Sequence, residues 1–269
     1  MIRGRLAPLI ALALLAAPVS ARAAIDPTTG REPVAAPTRE LPQNAGAPFF
    51  VLWDLTHGVY NFYQPSQDYS DLVTLLASNG FNVNTTTQGI DHVNLTGYSV
   101  IVIGLGSAYD SGYTPAEVAT IQSFIAAGGG VLVMGDNPGT WNDHINPITQ
   151  AYGTTCGVAS VAPFPTATTS FISHPVFTAV SGIYLAAPGE VDGVAPSVEA
   201  AFRDGPAAVV TVHQSCGLVV VGDINFATNP YLLVEDNETF AVNIFRWLAG
   251  GCPTPAVRST WGEVKTLYR

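Results

Sequence analysis

Two hydrophobic periods alternate between residues 48 and 250. Residues 49–53, "FFVLW", form a short apolar run that ends in Asp54, Thr56, His57 and Gly58. This reads as a buried strand entering a polar turn. Residues 69–78 carry Leu72, Val73, Leu75 and Leu76 at helical spacing, and Asn79-Gly80 supplies a stop. Residues 81–86 alternate like a strand, and "YSVIVIG" at 98–104 is a nearly unbroken apolar run of strand length. Thr114-Pro115-Ala116-Glu117 reads as a helix start, with Thr114 as N-cap, Pro115 in the first turn and Glu117 closing a capping box. That helix runs through Val118, Ile121, Phe124 and Ile125 to Gly128-Gly129-Gly130, and residues 131–134 form the next buried strand, ended by Gly135-Asp136. Apolar strands alternating with amphipathic helices predict βαβ units around a parallel sheet covered on both faces.

The pattern weakens over residues 140–205, which are rich in Pro, Thr, Ser and Ala, with strand-like pieces only at 158–162 and 182–187. Residues 207–213 and 218–221 again read as strands. Their four-residue connection, Gln214-Ser215-Cys216-Gly217, predicts an antiparallel hairpin at the sheet edge. Residues 231–248 read as a long amphipathic helix with Phe240, Ile244, Phe245, Trp247 and Leu248 on its buried side, ended by Gly250-Gly251.

The ends of the chain follow other rules. Arg3 and Arg5 precede an apolar stretch at 6–19, and Ala21-Arg22-Ala23 fits a cleavage site, so residues 1–23 are expected to be a signal peptide. The stretch is short for a membrane-spanning helix, which needs ~20 apolar residues. Residues 24–47, rich in Pro, Ala, Thr and Gly, are expected to be a flexible linker. The tail, 253–269, opens on Pro253-Thr254-Pro255 and ends in a capping box, Thr260 to Glu263, before Val264 and Leu267, which predicts a short amphipathic helix. The organisation expected is a signal peptide, a linker, an α/β domain over 48–250 and this tail.

Composition narrows the function classes. Apolar residues make up 48% of the 269 and charged residues 11%, which suits a large core. The formal charge is −10, from 10 basic and 20 acidic residues; cleavage after Ala23 would remove Arg3, Arg5 and Arg22 and no acid, leaving −13. Such a surface repels nucleic acid and anionic membrane. A secreted or periplasmic protein is expected, with no transmembrane segment after cleavage and with an envelope or extracellular protein or a small ligand as partner. Cys156, Cys216 and Cys252 make an odd count, which in an oxidising compartment gives one disulfide and one free thiol, with all three pairings open. No C-x-x-C, H-x-x-x-H or H-E-x-x-H spacing occurs, so a zinc hydrolase is not expected. Asn84, Asn94 and Asn237 open N-glycosylation sequons.

Candidate chemistry gathers at strand ends. Asp54 and His57 follow the first strand, where open α/β sheets collect ligands. Such a pair can orient a base, hold a cation or bind a sugar hydroxyl, or else cap its own loop. Tyr60, Phe62 and Tyr63 beside it offer aromatic faces to a sugar-like ligand, or core packing. Asp136 and Asp223 each end a strand in a Gly-Asp step and, on neighbouring strands, would share a rim with Asp54. Three acids there can bind Ca²⁺ or Mg²⁺, or cap turns through their side chains. Asn137 and Asn225 complete the set of candidate ligand-binding residues. No cofactor is otherwise expected. Gly104-Leu105-Gly106-Ser107 lacks the third glycine of a dinucleotide loop and the frame of a nucleophile elbow, and reads as a tight turn.

Three segments, Asp54 to Gly58, "FIAAGGGVLVMGDN" at 124–137, and "GLVVVGDINFATN" at 217–229 with "NETFAVNIFRWLAG" at 237–250, together resemble the class I glutamine-amidotransferase-like superfamily. The likeness is greatest to its non-catalytic branch, found in auxiliary domains of gliding-motility and ABC-transport proteins, exported bacterial domains of unknown function and the N-terminal domain of an intraflagellar-transport subunit. The resemblance covers residues 48–250. It implies a flavodoxin-like three-layer α/β sandwich with a mostly parallel central sheet and an antiparallel edge hairpin. In that superfamily a cysteine nucleophile stands on the sharp turn after a central strand, its sulfur activated by a helix N-terminus and a histidine. Here the corresponding turn is Gly135-Asp136-Asn137-Pro138, without Cys or Ser. The expectation is an exported, non-catalytic domain that binds a ligand, carbohydrate among the candidates, or a cell-envelope partner. The alternative is a hydrolase of amide or glycan bonds with a rearranged site of Ser107 or Cys156, His57 and an acid. A third reading is a structural part of a surface assembly docked through the C-terminal helix.

Overall fold

The computed structural model describes residues 48–250 apart from the short segments 107–110, 162–165, 172, 194–197, 203–207 and 214–216. The expected signal peptide, linker and tail, with Ser107, Cys216 and Cys252, lie outside the described residues. β1 (Phe49–Asp54), α1 (Ser70–Ser78), β2 (Phe81–Thr86), β3 (Tyr98–Ile103), α2 (Pro115–Ala126) and β4 (Gly130–Met134) follow the sequence pattern closely. After them come α3 (Thr140–Gln150) and five short strands: β5 (Thr154–Ser160), β6 (Thr166–Thr168), β7 (Ser170–Phe171), β8 (Ile183–Leu185) and β9 (Gly189–Gly193). The chain closes with β10 (Val198–Phe202), β11 (Ala208–His213), β12 (Leu218–Val221) and α4 (Asn237–Ala249).

One sheet runs in the order β2-β1-β3-β4-β12-β11-β10-β7. The first five strands are mutually parallel and the last three pair antiparallel. β3, β4 and β12 each carry an unbroken Val/Ile/Leu run, and β4 and β12 are buried along their full length, as strands covered on both faces must be. α1 packs with α4, and α2 with α3. The chain moves from β1 outward to β2 and then back across to β3, so right-handed crossovers put α1 and α2 on opposite faces. This is the expected three-layer sandwich. The β11–β12 hairpin forms as expected, and the sheet continues beyond it through β10 and β7.

Two helices depart from the sequence pattern, as do the strands β5, β6, β7, β9 and β10 in a stretch that showed strand-like pieces only at 158–162 and 182–187. α3 lies in the stretch that showed no clear period. Its buried face carries Asn142, His144, Asn146 and Thr149 beside Ile145 and Ile148, and Pro147 stands inside it. A half-polar buried face hides the apolar stripe on which a helix is recognised. The last helix starts at Asn237, not at 231. Glu235 sits at φ 50, which no helix interior accommodates. Asp236 is drawn off to Ser181, whose backbone N–H and hydroxyl each donate to its carboxylate at 2.6 Å. Residues 231–234 turn back on Thr228 and Tyr231 instead.

The capping box of α2 is complete. Thr114 Oγ1 accepts from the Glu117 N–H at 3.3 Å, and the Glu117 carboxylate accepts from the Thr114 N–H at 2.8 Å. Caps of this kind contribute ~1 kcal/mol. Gly80 ends α1 at φ 84, where a side chain is strained. No helix among the described residues is long and apolar enough to cross a membrane.

Candidate functional site

The carboxyl ends of the parallel strands form one rim, and its polar groups fall into two clusters. The first stands where β1 and β3 are neighbours while their following helices leave on opposite faces, which is the switch point of the sheet. Asp54, the last residue of β1, is fully buried. It accepts from the Thr56 N–H at 2.8 Å and from the Tyr113 hydroxyl at 2.8 Å. Burial raises its pKa, and the Thr56 backbone and hydroxyl, the Tyr113 hydroxyl and the charge of His57 counter only part of that. Tyr113 is raised well above the usual phenol value by burial and by Asp54.

His57 does not bond to Asp54. Its Nε2 lies 2.9 Å from Glu117 Oε1, its Nδ1 lies 2.8 Å from the Ser111 carbonyl oxygen, and its ring packs on that of Tyr113 at 4.2 Å. Both partners are oxygen acceptors, so both ring nitrogens are already engaged within the loop. Burial pushes the Glu117 carboxyl up, but the Thr114 backbone, the Thr114 hydroxyl and His57 together bring it below its usual value. His57 sits at φ 59, an uncommon conformation for a residue with a side chain. Gly106 fits between this loop and α3: a Cβ on it would come within 2.4 Å of the His57 carbonyl oxygen and 2.6 Å of His144 Nδ1. The opening Asp-Leu-Thr-His turn is therefore pinned by two separate pairs, Asp54–Tyr113 and His57–Glu117. Glu117 and Tyr113 belong to this cluster, yet sequence reasoning gave Glu117 only its capping role and Tyr113 none.

The second cluster stands between β4 and β12. Met134 pairs with Val221 in parallel register, so Asp136 and Asp223, each two residues further on, come side by side. Asp223 is fully buried and caps the short helix Ile224–Ala227, accepting from the N–H groups of Asn225 at 2.9 Å and Ala186 at 2.6 Å. Its pKa is raised by burial against the opposing pull of those bonds. Asp136 is half-buried, accepts from the Asn137 N–H at 2.7 Å, and is pushed up to about 7 by burial and by Asp223, less what the Asn137 bond takes back. Asn142 of α3 holds this turn from behind, accepting from the Asp136 N–H and donating to the carbonyls of Asp136 and Asn137. The Tyr63 hydroxyl donates to Asn225 Oδ1 at 2.9 Å, and the Asn225 amide donates to Asp223 Oδ1 at 3.1 Å. Burial, Asp136 and Asp223 lift the Tyr63 hydroxyl to about 12. Phe62, 50% exposed, packs edge-on against Tyr63 at 4.5 Å and stacks on Tyr60 at 5.4 Å. An aromatic ladder thus leads from the surface to the paired acids.

Asp54 does not join Asp136 and Asp223, because β3 separates β1 from β4. Among the described residues no three His, Cys, Asp or Glu side chains gather closely enough to hold a metal ion, so the three-acid rim does not assemble. Cys156, distant in sequence from the β4 turn, lies directly behind it. A Cβ on Gly135 would come within 3.3 Å of its sulfur. This thiol is free, fully enclosed on β5, and raised to about 12 by burial. A thiol in that state supplies almost no thiolate at neutral pH. Of the three sequons, Asn84 and Asn94 are exposed, whereas Asn237 is fully buried, accepting from the Tyr184 N–H and donating to the carbonyls of Tyr184, Phe226 and Tyr231.

Known proteins share this architecture. The mmIFT52 N-terminal domain superposes over 76% of this chain and 99% of its own with a TM-score of 0.61 at 18% identity. A ThuA-like protein from Bacteroides uniformis covers 77% of this chain and 94% of its own, with a TM-score of 0.53 at 18% identity. A cytoplasmic protein from Salmonella typhimurium covers 74% and 98%, with a TM-score of 0.53 at 13% identity. At these identities the likeness concerns the fold, which is of the amidotransferase-like type. No curated protein sequence matches the chain. The family model that does match is that of a domain of unknown function, DUF4350, over residues 65–245. The chain belongs to the DUF4350 family.

Proposed function

We propose that this chain is an exported, non-catalytic amidotransferase-like module whose strand-end rim binds a carbohydrate-like ligand or an envelope protein. One observation carries the reading. Where the resemblance places a nucleophile, the turn after β4 presents Asp136, a half-buried carboxyl at about 7 beside Asp223. A carboxyl poised near neutrality is a strong hydrogen-bonding partner for hydroxyl groups, as donor or acceptor. Phe62, exposed and stacked on the half-buried Tyr60, offers the apolar face that sugar rings pack on. The arrangement gives little support to hydrolysis: the His57 nitrogens are both engaged, and the Cys156 thiol is enclosed and protonated.

Two measurements test this. The folded full chain is treated with iodoacetamide and with a fluorophosphonate, and adducts are mapped by peptide mass. No adduct is expected on Cys156 or Ser107; an adduct on either that disappears in His57→Ala favours the hydrolase and ends the proposal. The same protein is applied to an oligosaccharide array and to immobilised envelope extract. Retention that is unchanged in the folded Asp136→Ala/His57→Ala double variant removes the rim as the binding site.

A further inference from the structure

A groove of about 300 Å³ lies on the α1/α4 face, away from the rim. Asp71, Thr74, Leu75 and Ser78 of α1 form one wall, and Leu232, Leu233 and Glu238 form the other. Leu233 is 76% exposed, the most exposed large apolar side chain among the described residues. We infer that this groove is the docking site of the chain's own C-terminal segment, residues 260–268, held as an amphipathic helix.

Three observations select that occupant. The first is position. Arg246, in the last turn of α4, donates to Asn79 Oδ1 at 2.9 Å, and Gly250 caps the helix on the Arg246 carbonyl. The chain therefore leaves α4 within about one turn of Ser78, which lines the groove. The second is length. The α1 wall from Asp71 to Ser78 is about 10 Å long at ~1.5 Å per residue. The nine residues 251–259 can span up to about 30 Å, ample to bring a following helix back along the groove. Trp261, Val264, Leu267 and Tyr268 then fall on one helical face.

The third is charge. Of the twenty acids, only Asp26, Glu32, Glu40 and Glu263 lie outside residues 48–250, which leaves sixteen there against Arg203 and Arg246 alone. Residues 251–269 reverse that balance, with Arg258, Lys265 and Arg269 against Glu263. The groove is bordered by the acids Asp71 and Glu238. The segment with the complementary charge and the missing apolar face is thus the one that emerges beside the groove.

Hydrogen exchange read by mass spectrometry on the full chain tests this, with the monomer verified by light scattering. A free helix of nine residues is unstable in water, so protection of its amides reports docking. In the wild type, amides of 261–268 should exchange at least tenfold more slowly than an unstructured peptide. Leu233→Asp, at an exposed position, and Trp261→Asp should each abolish that protection and speed exchange along 70–78 and 231–238. Asp71→Lys should weaken it, and adding Lys265→Asp should restore it. Unprotected amides in the wild type, protection that survives Leu233→Asp, or protection found only in a dimeric fraction would each overturn the inference. None of these outcomes depends on what the rim binds.

Discussion

The Asp136 carboxyl offers the sharpest quantitative test. It is held at about 7 against a usual value of 3.8, through burial and the neighbouring Asp223. Its proton is bound more tightly in the folded chain than in the unfolded one. Its contribution to stability should therefore be most favourable at or below pH 4, fall as pH rises from about 4 to about 7, and stay reduced above that. The interval is about three pH units at ~1.4 kcal/mol each, so the cost at pH 8 has a ceiling of ~4 kcal/mol. Side-chain relaxation and water at the half-exposed rim should bring the measured cost to roughly 2 kcal/mol. Asp136→Asn keeps the shape and the acceptor for the Asn137 N–H but removes the titration. The variant should gain roughly 2 kcal/mol at pH 8 and little at pH 4.5, measured by urea unfolding at both values. For a domain of this size that corresponds to a rise in Tm of about 4–8 °C at pH 8. Asp223 and Asp54, both raised by burial, leave a residual slope in the variant. If wild type and variant lose the same stability between pH 4.5 and 8, the carboxyl is not buried against Asp223 and the reasoning fails. A gain confirms that the chain keeps an acid here at a cost to stability, as sites retained for binding do.

Further outcomes follow from other contacts. Glu117→Gln should cost about 1–2 kcal/mol at pH 7 by weakening the cap and the His57 contact; because the Glu117 carboxyl is lowered in the fold, that cost should shrink as pH falls through the carboxylate range in a urea series. Gly106→Ala should destabilise by more than about 2 kcal/mol, since its Cβ would meet a backbone oxygen at 2.4 Å, whereas Gly80→Ala, with no atom within 4 Å, should cost only about 1 kcal/mol for its φ of 84. Thermal unfolding of the two variants side by side checks the contrast. Asn237→Ala removes the partner of the Tyr184 N–H and one donor each from the Tyr184, Phe226 and Tyr231 carbonyls, the last of which keeps its bond from the Val234 N–H, and should cost roughly 2–4 kcal/mol. In a glycosylating host, peptide mapping should find glycan on Asn84 and Asn94 and none on Asn237.

The sequence by itself determined the parallel half of the fold. Unbroken Val/Ile/Leu runs in β3, β4 and β12, the Leu stripe of α1 and the Thr-Pro-Ala-Glu start of α2 are local signals, each set by burial or by backbone hydrogen-bonding needs within a few residues. They also placed Asp136 and Asp223 at strand ends, because a Gly-Asp step after an apolar run is itself a local mark. Tertiary structure decided the rest. Beside the buried Ile145 and Ile148, α3 is held by polar bonds from Asn142 to the β4 turn and from Asn146 to Cys156, between segments that no period connects. The start of α4 is set by the pull of Ser181 on Asp236 across the fold. The pairing of His57 with Glu117 instead of Asp54, and of Asp136 with Asp223 but not Asp54, depends on strand order. Strand order is chosen by which apolar faces bury one another, and that is a property of the whole chain that no short stretch of it contains.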